Sequence, residues 1–515
     1  MNSKKIVALM LMFTMIFTSV HAIGLKDTDI KKATHTYESF FPSNYTEIIW
    51  MKTFGGRWRD DCWSVIKTLD NGYLLIGETT SFDKGGGDAW LVKLDANGNE
   101  LWNKSYGGSE ADYAFDGVQT LDGGYVIVGG TKTFTKGDHD VWLFKTDEYG
   151  NEQWNRSFGG AMRDQGYAII ESSDNGFVIC GGSGSFTEGP NDYSIIKIDE
   201  QGTMLWNLTY GDKGYDWGYD IIETVENTYV FTGGTDTSRD YSHILDIGIV
   251  EVDSLGNLIW DESFNNPPAK NRWDEGYSII NTRDGGLLIA GIAHTYHWAE
   301  DGEGDGWIIK TDRQGHKMWD RSYGGDLCDG FSTVKRTEDG GYVVSGWTYS
   351  YGAGDANIWL LKLDSDGFVD WDLTIGEEDY EWSMLHTLEI AQDDSYIVVG
   401  TTKSFGAGSS DMFIAKLGDP FISIDFTGGL GFSFELINDG VEDFNNISWN
   451  IDISNSVLYG VSSQGMISSL YVGESFSVMN HNLIVGFGEG TIRFSIGNLG
   501  KTVHCLFIGP FVFKT

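Results

Sequence analysis

The stretch Trp102-Asn103-Lys104-Ser105-Tyr106-Gly107-Gly108 opens the unit that decides the fold. An apolar run follows it to the turn Asp122-Gly123-Gly124, then come Tyr125 to Gly129 and a polar loop. The unit closes with Asp140-Val141-Trp142-Leu143-Phe144-Lys145-Thr146-Asp147, a turn at Gly150-Asn151, and a new tryptophan at 154. Its four apolar runs have strand length, and three are bounded by Gly-rich turns. The same unit recurs on both sides. Its marker tryptophans are Trp50, Trp102, Trp154, Trp206, Trp260, Trp319 and Trp371, at spacings of 52, 52, 52, 54, 59 and 52 residues. Four strands in each unit of about 50 residues is the pattern of a propeller blade.

The ends of the array support the same reading. The seventh unit reaches Lys416-Leu417 without its final Trp-bearing strand, and that strand stands at the other end, around Trp50. Pairing the two closes the ring and leaves no open sheet edge between the termini. The expected fold is all-β: a seven-bladed propeller over residues 46–418 with a small β-sandwich over 419–515. Blade-to-blade packing needs one large flat side chain per unit, so the seven tryptophans are read as structural.

Composition narrows the rest. The 75 acidic and 35 basic residues give a formal charge of −40, a surface that repels nucleic acid and favours cations or basic partners. Lys4 and Lys5 precede an apolar run from Ile6 to Val20, and Val20-His21-Ala22 offers small residues for cleavage. Residues 1–22 therefore read as a signal peptide and 23–45 as a polar leader. No later run approaches the length of a membrane-spanning helix, so the expected location is extracellular or at the cell surface. Cys62, Cys180, Cys328 and Cys505 have no metal-ligand spacing and read as buried thiols.

The motifs W-x-x-x-[YF]-G-G, D-G-G-Y-[VL]-x-x-G and D-x-W-[LI]-x-K-x-D…G-N-x-x-W resemble the repeats of secreted prokaryotic seven-bladed propeller proteins, over roughly residues 46–417. The K-x-D-x-x-G-N-x-x-W portion is also similar to the quinoprotein-type repeat. Quinoprotein dehydrogenases have eight such blades and an adjacent cysteine pair, and this chain has neither, so no cofactor is expected. Phe432 to Ile453, with Asn438-Asp439-Gly440 as a hairpin turn, resembles immunoglobulin-like modules of cell-surface proteins.

Two features bear on function. Ten residues after most marker tryptophans stands an acid: Asp60, Asp112, Asp164, Asp216, Asp329 and Glu381, with Asp274 displaced by an insertion. A second set comprises Asp88, Asp140, Asp192, Asp246, Asp305, Asn357 and Asp411. These acids either cap turns within their own blades or form a mouth that draws cations, calcium among them. The second feature is where the repeat breaks. Residues are inserted between Gly233 and Asp246, between Trp260 and Asp274, and between Gly291 and Asp305. By propeller topology all three loops project from one face of two neighbouring blades. They carry Arg239, Tyr241, His243, Arg272, Trp273, His294, Tyr296, His297 and Trp298, a mixture suited to recognition. No nucleophile triad, phosphate loop or zinc helix is present. The expectation is a non-catalytic binding protein for an extracellular glycan or protein. The alternatives are an extracellular enzyme, quinoprotein-like or polysaccharide-degrading, and a structural envelope protein.

Overall fold

A computed structural model of the chain describes residues 46–515 except 83–84, 136, 188, 212, 237–244, 266–272, 295–303, 407, 421, 439–443, 455–456, 460–461, 480–484, 497–498, 510 and 515. The signal and leader segments expected at 1–45 lie outside the described residues. Every described element is a strand or an isolated bridge, joined by turns and bends.

The fold is a seven-bladed propeller followed by a sandwich. Blade 1 pairs Asp60–Lys67, Tyr73–Thr79, Asp88–Leu94 and Glu100–Tyr106 in sequence order, all antiparallel. Blades 2 to 6 repeat that order from Asp112–Gln119, Asp164–Glu171, Asp216–Glu223, Glu275–Asn281 and Asp329–Arg336. Blade 7 takes its outer strand from the front of the chain. Thr46–Phe54 pairs with Asp411–Pro420, placing Trp50 opposite Lys416 and Phe54 opposite Met412.

The apolar core lies between blades. Leu74, Ile76 and Leu91 of blade 1 pack on Tyr125, Ile127 and Phe144 of blade 2. The last seam joins Ile397, Val399 and Ile414 of blade 7 to Leu75, Val92 and Leu94 of blade 1. The marker tryptophans are only partly buried. Trp102 lies over the hairpin at Gly150 in the following blade, and Trp50 lies likewise over Gly98. Larger burial falls to Trp142, Trp307 and Trp359, whose rings are almost wholly enclosed.

Charge is used repetitively. Lys93, Lys145, Lys197, Lys310, Lys362 and Lys416 each reach the aspartate of their own blade's first hairpin turn: Asp70, Asp122, Asp174, Asp284, Asp339 and Asp393. In blade 4 the pattern inverts. Glu251 replaces the lysine and pairs with Arg313 from blade 5 at 2.7 Å. All four cysteines are buried free thiols.

The C-terminal strands bury Phe434, Ile447, Ile467, Phe494 and Phe507 in one core. Their sheet is continuous with blade 6, because Leu499–Gly509 pairs with Val369–Ile375 through Gly500↔Asp372 and Leu499↔Leu373. Arg493 forms a buried ion pair with Asp372, and its guanidinium lies 3.9 Å from the Tyr351 ring centroid.

Candidate functional site: the aromatic mouth of the channel

Each inner strand of blades 1 to 6 carries a β-bulge at the same place. A bulge adds one residue to one strand and re-aims its side chain. The extra residues are Trp63, Phe115, Tyr167, Tyr219, Tyr277 and Ser332. Five are aromatic, and they meet around the axis. Ring centroids are 5.8 Å apart for Trp63–Phe115, 5.2 Å for Phe115–Tyr167, 5.4 Å for Tyr167–Tyr219 and 4.8 Å for Tyr219–Tyr277. In blade 6 the bulge residue is small, and Trp347 from the next strand fills the space. Gly330 permits this: a Cβ there would come within 2.3 Å of the Trp347 ring. Trp347 contacts Tyr277 at 6.0 Å and stacks on Trp382 of blade 7 at 5.5 Å. One aromatic chain therefore runs through all seven blades.

The acids read as turn caps or as a cation-drawing mouth take hydrogen bonds from the turns around them. Asp164 is buried and accepts from the Gly160 and Ser185 amides and from the Ser183 and Ser185 hydroxyls. Asp60, Asp112 and Asp329 accept from equivalent groups in their own blades. Asp216 accepts from Thr235 and the Asp236 amide, and Glu381 from Thr402 and two backbone amides. Their own N–H groups fasten the seams, for example Asp112 to the Gly87 carbonyl and Asp274 to that of Leu245. In Asp60, Asp112, Asp164 and Asp329, protein donors occupy most of the carboxylate lone pairs. Among the described residues no group of three or more His, Cys, Asp or Glu is placed to hold a metal. The second set of acids backs the same turns. A Cβ on Gly159 would come within 2.3 Å of Asp140 Oδ1 and 2.8 Å of Asp164 Oδ2, so only glycine fits between them.

The residues that face the mouth follow these acids by one: Asp61, Tyr113, Gln165, Trp217, Glu275, Gly330 and Trp382. They divide into two arcs. In blade 1, Arg59 bridges Asp61 and Glu78, with 2.9 Å to Glu78. Burial pushes the Glu78 carboxyl up to about 7, with Arg59 opposing and Asp61 adding to the rise. In blade 3, Gln165 accepts from Arg163 Nε at 3.0 Å and from the Tyr167 hydroxyl at 2.8 Å.

The other arc lies at blades 4 and 5. Glu275 is 1% exposed and accepts from Trp217 Nε1 at 2.9 Å, Tyr219 at 3.1 Å and Tyr277 at 2.5 Å. Burial raises its carboxyl above the usual range, and hydrogen bonds from Tyr277, Trp217, Trp273 and Tyr219 oppose that rise. Trp273 packs on Trp217 at 6.3 Å, and Trp217 meets Tyr215 edge-on at 6.0 Å. Trp273 is thus the one residue of the expected loop site whose side chain is described. His294 ends its strand opposite Gly304. Arg239, Tyr241, His243, Arg272, Tyr296, His297 and Trp298 lie outside the described residues.

Sequence reasoning passed over the bulge aromatics and Glu275. A signal for the aromatics was present, since an aromatic stands three residues after the acid in five successive units.

No family model matches the chain, and no curated protein does. Among solved structures it is similar to the WD40 domain of Neurospora crassa Pan2, at 8% identity over 69% of this chain and 88% of that one, TM-score 0.41. A Penicillium chrysogenum α-L-arabinanase complexed with arabinobiose gives 10%, 59%, 92% and 0.42. The propeller domain of the Trilobed protease from Pyrococcus furiosus gives 10%, 71%, 94% and 0.40. What those proteins act on says nothing about this chain.

Proposed function

We propose that the chain is an exported, non-catalytic binding protein whose ligand, a glycan or a protein side chain, seats in the aromatic mouth of the channel. The observation that carries this reading is the aromatic wall at blades 4 and 5. There Trp217 and Trp273 pack on each other and remain partly exposed. Aromatic faces give large contact area at little entropic cost. The C-terminal sandwich, immunoglobulin-like in its pattern, then acts as spacer or attachment module at the cell surface. The test is a thermal-shift and calorimetric screen of the mature protein against glycans and peptides, since a ligand that binds only the folded state raises Tm. Trp217→Ala and Trp273→Ala should each weaken the hit at least tenfold while the protein stays folded. Unchanged affinity in both variants refutes the site.

One observation favours an enzyme instead. Glu78, held near 7 beside Asp61, has the proton affinity of a general acid at neutral pH. Turnover of a polysaccharide that Glu78→Gln abolishes, without loss of binding, would decide for that reading.

A further inference from the structure

From the arrangement around Glu275 we propose that the blade 4–5 wall is a seat for an alkylated ammonium group, with the buried carboxylate as its counter-charge. The proposal rests on the reading of the mouth as the binding site and names the ligand chemistry.

Three observations carry it. Glu275 stands at a repeat position that is Asp61, Tyr113, Gln165, Trp217, Gly330 or Trp382 in the other blades, so the blade does not need an acid here. Among the described residues its partners are neutral aromatic donors, two from blade 4 and one from blade 5, with Trp273 also in hydrogen-bonding contact. Those bonds use ring edges, because an indole N–H and a phenol O–H lie in the plane of their rings. The carboxylate therefore holds Trp217 by its ring edge, and Trp217 and Trp273, packed on each other, both remain partly exposed.

A ring face attracts a cation through its quadrupole, and tryptophan does so most strongly. A negative charge at the ring edges adds to that attraction, and low dielectric strengthens it. The formal charge of −40 brings cations to the surface in general. A methylated ammonium is selected over sodium or potassium because it sheds its water easily and fills an apolar surface. Glu275 acts as a positioning and counter-charge residue, since the ring faces make the contact.

The experiment is a tryptophan-fluorescence titration of the mature protein, checked by calorimetry, at fixed ionic strength. The probes are tetramethylammonium, choline, sodium and methyl α-glucoside. Saturable binding of both tetramethylammonium and choline, with no saturable response to sodium, is expected. Glu275→Gln keeps an acceptor in place but removes the charge, and should weaken both at least tenfold. Trp273→Leu removes a face and leaves Glu275 with Trp217, Tyr219 and Tyr277; it should also weaken both, which keeps the test open if the Gln variant misfolds. Absence of saturable ammonium binding overturns the proposal, as does equal affinity in Glu275→Gln and wild type. Binding of the glucoside alone, lost in Trp217→Ala, overturns the ammonium seat and leaves the mouth as the binding site.

Discussion

The inner strands of the seven blades begin at Asp60, Asp112, Asp164, Asp216, Asp329 and Glu381, and in blade 5 one residue after Asp274; the residues next to these acids are Asp61, Tyr113, Gln165, Trp217, Glu275, Gly330 and Trp382. One ring is almost invariant and the other is not. The invariant ring is buried and satisfied within its own blade, where one hydrogen-bonded turn must be built seven times. The varied ring faces a space shared by all blades, where nothing in blade construction dictates the residue. In a repeat protein, recurrence therefore marks construction, and departure marks contact with something outside the blade.

The largest effect should come from the construction side. Deleting residues 46–54 strips blade 7 of its outer strand and takes Trp50 off the Gly98 hairpin of blade 1. The ring then has an open edge, and calorimetry should show no cooperative transition. A truncated protein melting within a few degrees of the mature form would show that the strand does not close the ring.

A departure in blade 6 sharpens the comparison. Leu373 stands where blades 1, 2 and 5 have Lys104, Arg156 and Arg321, and it pairs with Leu499 of the C-terminal sandwich. Arg493→Met should cost about 3–5 kcal/mol, because it strands the Asp372 carboxylate in a buried site. Adding Asp372→Asn should recover part of that loss. Equal stability of single and double variants, by urea denaturation, would mean that the pair does not hold the module to the blade.

Neighbouring substitutions test the two rings directly. Asp164→Ala leaves two amides and two hydroxyls without their acceptor and should cost about 2–3 kcal/mol. Gln165→Met should cost less, about 1 kcal/mol, because it takes the acceptor from the Tyr167 hydroxyl alone, the Gln165 amide nitrogen having no partner to lose and Arg163 being exposed to water. Equal losses would erase the distinction between the rings.

Blade number, strand order and closure were legible in the sequence because they recur: the spacing of Trp50 to Trp371 and the displaced first strand contain them. The acids were legible as a ring. Turn capping was one of the two uses read for them; their partners Ser183 and Thr131 were not legible, since those bonds depend on where a second strand returns. The aromatic chain was written three residues after those acids, yet its meaning depends on a bulge, and a bulge is a property of pairing. Glu275 was hidden by lying one residue past Asp274. The contact between the sandwich and blade 6 had only a faint trace, the loss of charge at Leu373. Of the loop site, Trp273 joins the mouth, and the proposed binding role for the loops rests on it.

The smallest predicted effect is a difference in pH response between propeller and sandwich. Burial raises Asp305 to about 7, with Asp329 and Asp326 adding to the rise, and Glu78 also sits near 7. Burial also holds Asp140, Asp220, Glu275 and Asp329 above the ordinary range. For Glu78 and Asp305, the folded state retains a proton at a pH where the unfolded chain has already released it. Lowering the pH from 7 to 5 therefore removes a penalty and stabilises the propeller. His504 in the sandwich has the opposite sign. Burial, with Arg321 nearby, lowers it to about 4, so the unfolded chain takes up a proton first and the sandwich loses stability over the same interval. The hairpin acids Asp122, Asp174, Asp339 and Asp393 are held near 2 chiefly by lysine and hydroxyl hydrogen bonds that outweigh their desolvation, and they do not enter until the pH falls below about 4. Hydrogen exchange followed from pH 7 to 5, corrected for intrinsic rates, should show protection rising in the strands around Glu78 and Asp305 and falling around His504. His504→Phe should abolish the fall without touching the rise. Parallel changes in both regions would mean that a single global transition, rather than these buried groups, governs the response.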